Sequence, residues 1–288
     1  VNILRIFKGG VFDVFNLMFL FFVALITLYP LWHELSLSFS SMEEAMKGGA
    51  FFWPRAFTWE AYRTVLGSSY IWVAYGNSAF TMVVGTVVAV LLTAMMSYPL
   101  TKGEMPAQKW IMMLVLFTML FSGGMIPTYL LVKELGLINS LWSLILPTAI
   151  SAFNIIIIMS FMRTLPSELE DSAMIDGANP VRIFFSIVIP LSKPVLATVS
   201  LWEAVNLWNN YLQALIYLTD KSKYTLPLML RDVINGQVTA QMTGELTGSS
   251  VDSVVAATII VALVPILCIY PFLQKYFVKG TMIGSVKS

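Results

Sequence analysis

The chain has 288 residues, of which 58% are hydrophobic and 11% charged, with a formal net charge of +1, whereas a water-soluble domain carries about 25% charged residues. Composition therefore defines an integral membrane protein. Lys and Arg are scattered along the sequence, which excludes a nucleic-acid-binding stripe or a polybasic surface segment. The one cysteine, Cys268, sits in an apolar run and reads as a small core residue, with no second thiol for a disulfide or a metal cluster.

A membrane-crossing helix needs about 20 mostly apolar residues. Six runs qualify: residues 12–32, 72–100, 110–132, 141–162, 195–218 and 254–277. The first follows Arg5 and Lys8 as a secretory signal would, yet it exceeds an h-region of about 7–15 residues and no small-residue cleavage pattern follows, so it reads as a retained span. His33, directly after it, is expected to cap this span at the outer interface. The third run is interrupted by "FSGGMIP" at residues 121–127, and its second half is expected to lie along the membrane surface.

An even number of spans puts both termini on one side. With the N-terminus inside, the inner segments hold Arg5, Lys8, Lys102, Lys109, Arg163, Arg182, Lys193, Lys275, Lys279 and Lys287, against Lys47, Arg55, Arg63, Lys133, Lys221, Lys223 and Arg231 outside. Ten against seven, with the outer segments longer, points to cytoplasmic termini and to a cytoplasmic loop at residues 163–194. No internal repeat stands out, so residues 1–288 read as a single membrane domain.

That loop concentrates charge, Gly and Pro. Ser167 stands three residues before Glu170, a capping-box spacing that predicts a helix start. Gly177 is a natural left-handed terminator after Asp176, and Asn179-Pro180 supplies an N-cap and first-turn proline for a second helix. In that second helix Val181, Phe184, Phe185 and Val188 form an apolar stripe, and Pro190 is expected to end it. In the first, Leu165, Leu169 and Ala173 line one side while Glu168, Asp171 and Ser172 face elsewhere. Shape alone leaves two readings, a docking knob and an ordinary structured loop.

The fifth run, "SLWEAVNLWNNYLQALIYL", sets Glu203, Asn206 and Asn210 at i, i+3 and i+7 on one side of an otherwise apolar helix. A carboxylate at the bilayer centre costs about 2.5–3.5 kcal/mol on insertion scales, so Glu203 should face the bundle interior or a watered cavity. Two roles stay open. The stripe either lines a translocation path, with Trp202 or Trp208 offering a ring face to a passing solute, or bonds a neighbouring subunit.

Other classes fit poorly. One His cannot build a multi-histidine zinc site, and the sequence holds no H-E-x-x-H and no G-x-S-x-G. It contains no Gly-Lys dipeptide, so a Walker A loop is excluded and this chain is expected to be no enzyme. A secondary transporter or channel would commonly show internal repeats or ion pairs along several spans.

The stretch Asp171-Ser172-Ala173, with Gly177 four residues on and then Ile187 and Pro190, resembles the EAA signature of binding-protein-dependent ABC importer permeases. The spacing matches throughout. Asp171 replaces Glu, Ser172 replaces Ala and Ile189 replaces Leu, and "MIDGA", with Asp176, Gly177 and Ala178, is similar to the carbohydrate-uptake variant. "WPRAFTWEAYRTVL", "WNNYLQALIYL" and the tail "FVKGTMIGSVKS" at residues 277–288 resemble segments of the maltose-type G subunit, and the finer likeness is to permeases for pectin- and alginate-derived uronate oligosaccharides.

The resemblance implies an all-α, six-helix type I importer permease of the bacterial inner membrane, with residues 163–194 as its coupling loop. It implies a heterodimer with a homologous permease, a cytoplasmic ATPase dimer that alone holds ATP and Mg, an extracytoplasmic solute-binding protein and a carbohydrate substrate. Coupling would fall to Glu170, Asp171, Ser172, Ala173, Asp176, Gly177, Ala178, Ile187 and Pro190, with Asp171 pairing with an Arg of the ATPase. The alternative within the family is an importer of a non-sugar solute.

Overall fold

In the computed structural model the described residues are 11–243, 252–265 and 267; their regular secondary structure is helical, with no strand among them. Arg5, Lys8, Cys268, Lys275, Lys279, Lys287, the far end of the sixth apolar run and the tail at 277–288 lie outside the described residues. The chain groups into two compact units, residues 1–69 with 230–264, and residues 70–229 with 265–288. Hydropathy does not mark this division, because it reports how greasy each run is and not which runs pack together.

In the first unit, α1 (Val11–Ser38) runs six residues beyond the apolar stretch that predicts it, with Pro30 inside. Its polar end is held by buried hydroxyls: Ser38 Oγ contacts the Leu35 carbonyl at 2.8 Å and Tyr62 Oη at 2.8 Å, and Ser40 Oγ donates to the Ser36 carbonyl. His33 consequently lies within the helix, which continues to Ser38, with its ring edge-on to Phe51 at 5.7 Å and its Nε2 3.4 Å from the Gly49 carbonyl. Two short helices follow, α2 (Met42–Met46) and α3 (Glu60–Gly67), the latter carrying Tyr62. The helix Asp252–Pro265, the last with described bounds and numbered α15 below, contributes Ala256 to a small core with Leu37, Ala45 and Phe51.

The second unit is built on α4 (Ser69–Thr101), 33 residues and so about 50 Å at 1.5 Å per residue. Most of its buried positions are small or hydroxylic, including Ala74, Ser78, Thr81, Gly85, Ala89, Thr93, Ala94 and Ser97, which lets neighbouring helices approach closely. At Gly85 an added Cβ would stand 2.6 Å from Leu207 Cδ1. Ser97 Oγ lies 2.7 Å from the Thr93 carbonyl and 3.2 Å from that of Ile155.

After α4 the apolar runs are broken. The helices α5 (Gln108–Leu120) and α6 (Met125–Glu134) meet at 114°, where Gly124 takes φ +90°, as the "FSGGMIP" interruption predicts. The fourth run also breaks, between α7 (Trp142–Ile145), which extends as a tight turn to Thr148, and α8 (Ala152–Met162), at 56°. The loop region supplies α9 (Glu168–Ile175) and then α10 (Pro180–Ile183), which passes through a π-turn at Phe184–Val188 into α11 (Ile189–Leu191). The fifth run forms α12 (Lys193–Trp208), interrupted after Asn209, and α13 (Leu212–Tyr217); α14 (Leu226–Thr243) follows. By length and composition two described helices suffice to cross a bilayer alone, and up to five spans result if each bent pair counts as one. The sixth run is described only as α15.

Among the described residues three cores hold this unit. Val90, Ala94, Ile158, Met162, Ile183, Phe184, Val188, Val195 and Val199 join α4, α8 and α12 to the loop helices. Leu100, Val115, Ile155 and Met159 seat α5 on α8. Val132, Leu144, Ala214, Tyr217 and Leu228 gather α6, α7, α13 and the start of α14.

Candidate functional site

The loop helices form the predicted bend. Gly177 has φ +81°, its N–H bonds the Met174 carbonyl at 3.0 Å, and the Ala178 N–H bonds the Ala173 carbonyl at 2.9 Å. These are the two bonds of a Schellman terminator, which requires a left-handed residue at the Gly177 position. Asn179 Oδ1 then accepts from the Arg182 N–H at 2.8 Å, capping the second helix ahead of Pro180.

Two expectations are corrected here. Ser167 starts α9 with helical dihedrals and no side-chain cap, so the capping box does not form. The Glu170 carboxylate turns inward to accept from Tyr98 Oη at 2.7 Å and to pair with Lys102, because a tertiary partner with a positive charge outcompetes a backbone N–H that water can satisfy. Nor does Pro190 end the second helix, which continues to Leu191. The π-turn absorbs the missing proline N–H: the Ile189 N–H reaches back five residues to the Phe184 carbonyl, and the bend of 79° falls between Leu191 and Lys193.

The result is a knob with a buried root. Ala173, Ala178 and Ile187 pack on the core of α4, α8 and α12, and Phe184 and Val188 are buried in it, with Phe184 against Tyr98 at 5.4 Å between centroids. Asp171, Ser172, Asp176 and Pro190 are exposed, with Ser172 Oγ bonded back to the Glu168 carbonyl. The knob also exposes apolar side chains, Met174, Val181 and Phe185, and Ile175 is 87% exposed.

From the bend, α12 leads directly to a cavity of about 1440 Å³ bounded by α5, the α7–α8 break, α12 and α13. Glu203, Asn206, Asn210 and Trp202 line it. Glu203 is 5% exposed and accepts from Asn154 Nδ2 at 3.3 Å, so the carboxylate faces the bundle interior as its cost in lipid demands. Trp202 stacks on Phe153 at 5.6 Å, whereas Trp208 is buried beside Tyr75 and does not line the cavity. The regular i, i+3, i+7 stripe is also corrected: α12 ends at Trp208, and Asn210 sits in the break that follows. It still reaches the cavity wall, since irregular backbone at membrane depth is tolerated where it lines a cavity.

Sequence reasoning missed Asn154, and with it Thr118, Thr148, Ser151, Asn209 and Gln213, which add neutral hydrogen-bonding groups to the same wall. A polar residue inside "AFNIIIIM" carried the same signal that singled out Glu203. Among the described lining residues there is no Lys or Arg. Tyr98 and Lys102 were likewise missed as anchors of the loop, because nothing in a sequence reports which span ends beside it.

A cavity with amides, hydroxyls and one carboxylate on its wall, set between broken helices and joined through one helix to an exposed bent knob, has the build of a membrane permease. Residues 105–282 match the family described as binding-protein-dependent transport system inner membrane component, and the chain belongs to that family. It is 43% identical to the polygalacturonan/rhamnogalacturonan transport system permease protein YtcP of Bacillus subtilis (strain 168), across 97% of this chain and 99% of that one. It is 45% identical to Protein LplC of the same organism, across 97% and 96%. Among solved structures it superposes with a TM-score of 0.84 and 32% identity on a bacterial ABC transporter involved in the import of the acidic polysaccharide alginate, covering 93% of this chain and 96% of that chain.

Proposed function

We propose that this chain is one permease of an ATP-driven importer for uronate-containing oligosaccharides, working by alternating access. The observation that carries the reading is the mechanical continuity from the exposed knob through the 79° bend into α12, whose next turns hold Trp202, Glu203 and Asn206 on the cavity wall. A force on the knob reaches the cavity through one packed helix.

Asp171, Asp176 and the apolar patch of Met174, Ile175, Val181 and Phe185 would dock in a cleft of a separate ATPase chain, which binds ATP and Mg and performs all hydrolysis. Gly177, Ala178, Ser172, Ala173, Ile187 and Pro190 shape and seat the knob, and Glu170 fastens it. A second, homologous permease would complete the pathway, and an extracytoplasmic binding protein would deliver the sugar. The knob and both termini would be cytoplasmic.

The substrate class rests on the likeness to the pectin-type and alginate transporters. Neutral amides and hydroxyls on this wall suit sugar hydroxyls, and Asn154 satisfies the Glu203 carboxylate so that it does not stand bare before an acidic sugar. Because this wall carries no described cation, the uronate charge would be met from the partner permease.

Asp171→Lys tests the reading. Purified with the partner permease and ATPase and reconstituted into proteoliposomes, it should lose ATPase association and uptake together, since a charge-assisted bond worth about 1.5–3 kcal/mol turns into repulsion. Full ATPase retention with full uptake would refute it.

A further inference from the structure

A second, smaller concavity of about 300 Å³ lies outside the proposed pathway, lined by Gln108, Lys109, Met112, Met113, Leu116 and Arg163. It forms where the first turn of α5 meets the end of α8. The two helices pack antiparallel through Ile111, Met112 and Val115 against Ile155 and Met159, which brings Lys109 and the C-capping Arg163 to one end of the pair, 54 residues apart in sequence.

Its chemistry is split along the helix axis. At the end lie two side-chain cations, and among the described residues neither forms an ion pair; Arg163 only donates to the Leu100 carbonyl at 3.3 Å. The nearby Lys102 is already neutralised by Glu170. Toward the membrane interior the wall is Met112, Met113 and Leu116, continuous with an exposed apolar face of α5 that includes Trp110, Leu114 and Phe117. The cations sit at the boundary of an apolar run with a tryptophan beside them, the level at which headgroups meet acyl chains.

We infer that this groove holds one anionic phospholipid, its phosphate between Lys109 and Arg163 and an acyl chain along Met112, Met113 and Leu116. A bare phosphate would use the cations and leave the apolar wall wet; a zwitterionic lipid would satisfy the wall but carry its own cation toward two others. An anionic lipid meets both. The Lys102–Glu170 pair joins this end of α4 to the knob, so the leaflet concerned is the knob's, and only that assignment rests on the proposed function.

The test measures lipid retention by the assembled transporter, with phosphatidylglycerol and phosphatidylcholine offered separately in detergent and the bound lipid read by native mass spectrometry. Each cation near an anionic headgroup contributes about fivefold in affinity, so the Lys109→Gln/Arg163→Gln double variant should retain phosphatidylglycerol roughly 25-fold more weakly. Lys109→Gln alone should cost about fivefold, a readout that stands even if removing Arg163 disturbs the end of α8. Arg163→Lys should restore most of the loss, and Lys133→Gln on α6 should cost nothing. Retention equal across variants, or equal for the two lipids, would overturn the proposal, as would displacement of phosphatidylglycerol by millimolar inorganic phosphate. Since the readout needs no sugar uptake, it fails independently of the transport assignment.

Discussion

The phenol of Tyr98 donates to Glu170 Oε2 at 2.7 Å, which fastens the last turn of α4 to the first helix of the knob. Lys102 closes the same carboxylate from one turn further on. Motion of the knob relative to α4 must break or carry both contacts, so this pair decides how stiffly the loop reports to the membrane helices.

Tyr98→Phe keeps the ring against Phe184 and removes only the hydroxyl. A hydrogen bond to a charged group contributes about 1.5–3 kcal/mol, and the remaining Lys102 contact offsets part of it, so amide exchange across α9 should quicken by about tenfold. Hydrogen-exchange mass spectrometry of the assembled transporter reads this; exchange unchanged from the parent would mean that Lys102 alone holds the loop.

Gly177 separates a backbone requirement from a packing one. No atom lies within 4 Å of where its Cβ would stand, so any substitution cost arises from φ +81° alone. Gly177→Asn should be tolerated, while Gly177→Val should cost about 1–3 kcal/mol and lower ATPase retention, because a β-branched residue resists the left-handed region. Equal retention for Asn and Val would show that the Schellman turn can be replaced by another bend.

For the buried polar pair, Glu203→Gln keeps an acceptor for Asn154 and should leave assembly and thermal unfolding near those of the parent while altering uptake. Asn154→Leu removes the one hydrogen bond to the carboxylate among the described residues and should destabilise by about 1–3 kcal/mol, more if the carboxylate is charged. Detergent thermal unfolding beside proteoliposome uptake distinguishes the two. Poor assembly of Glu203→Gln would instead assign the residue to the subunit interface.

Sidedness has a direct check at Ser186, which is exposed on the second knob helix. In a Cys268→Ala background, Ser186→Cys should react with an impermeant thiol reagent only after the cells are opened. Reaction in intact cells would place the knob outside and reverse the orientation inferred from Lys and Arg.

Sequence alone determined what depends on local chemistry and on the free energy of transfer into lipid. The apolar runs, the break at Gly124, the Gly177 terminator and the Asn179-Pro180 start are readable because each needs only its own few residues. The inward placement of Glu203 follows in the same way from its cost in hydrocarbon. Tertiary structure decided what depends on competing partners: Glu170 abandons its capping box for Tyr98 and Lys102, Pro190 is carried inside a helix by a π-turn, and α12 stops short of Asn210. It alone brought Asn154 to Glu203, and Lys109 to Arg163. The physical reason is that hydrogen bonds and charges go to whichever group the packed helices bring within reach, and helix packing is set by shapes at Gly85, Ala94 and Val199 that no spacing of polar residues encodes.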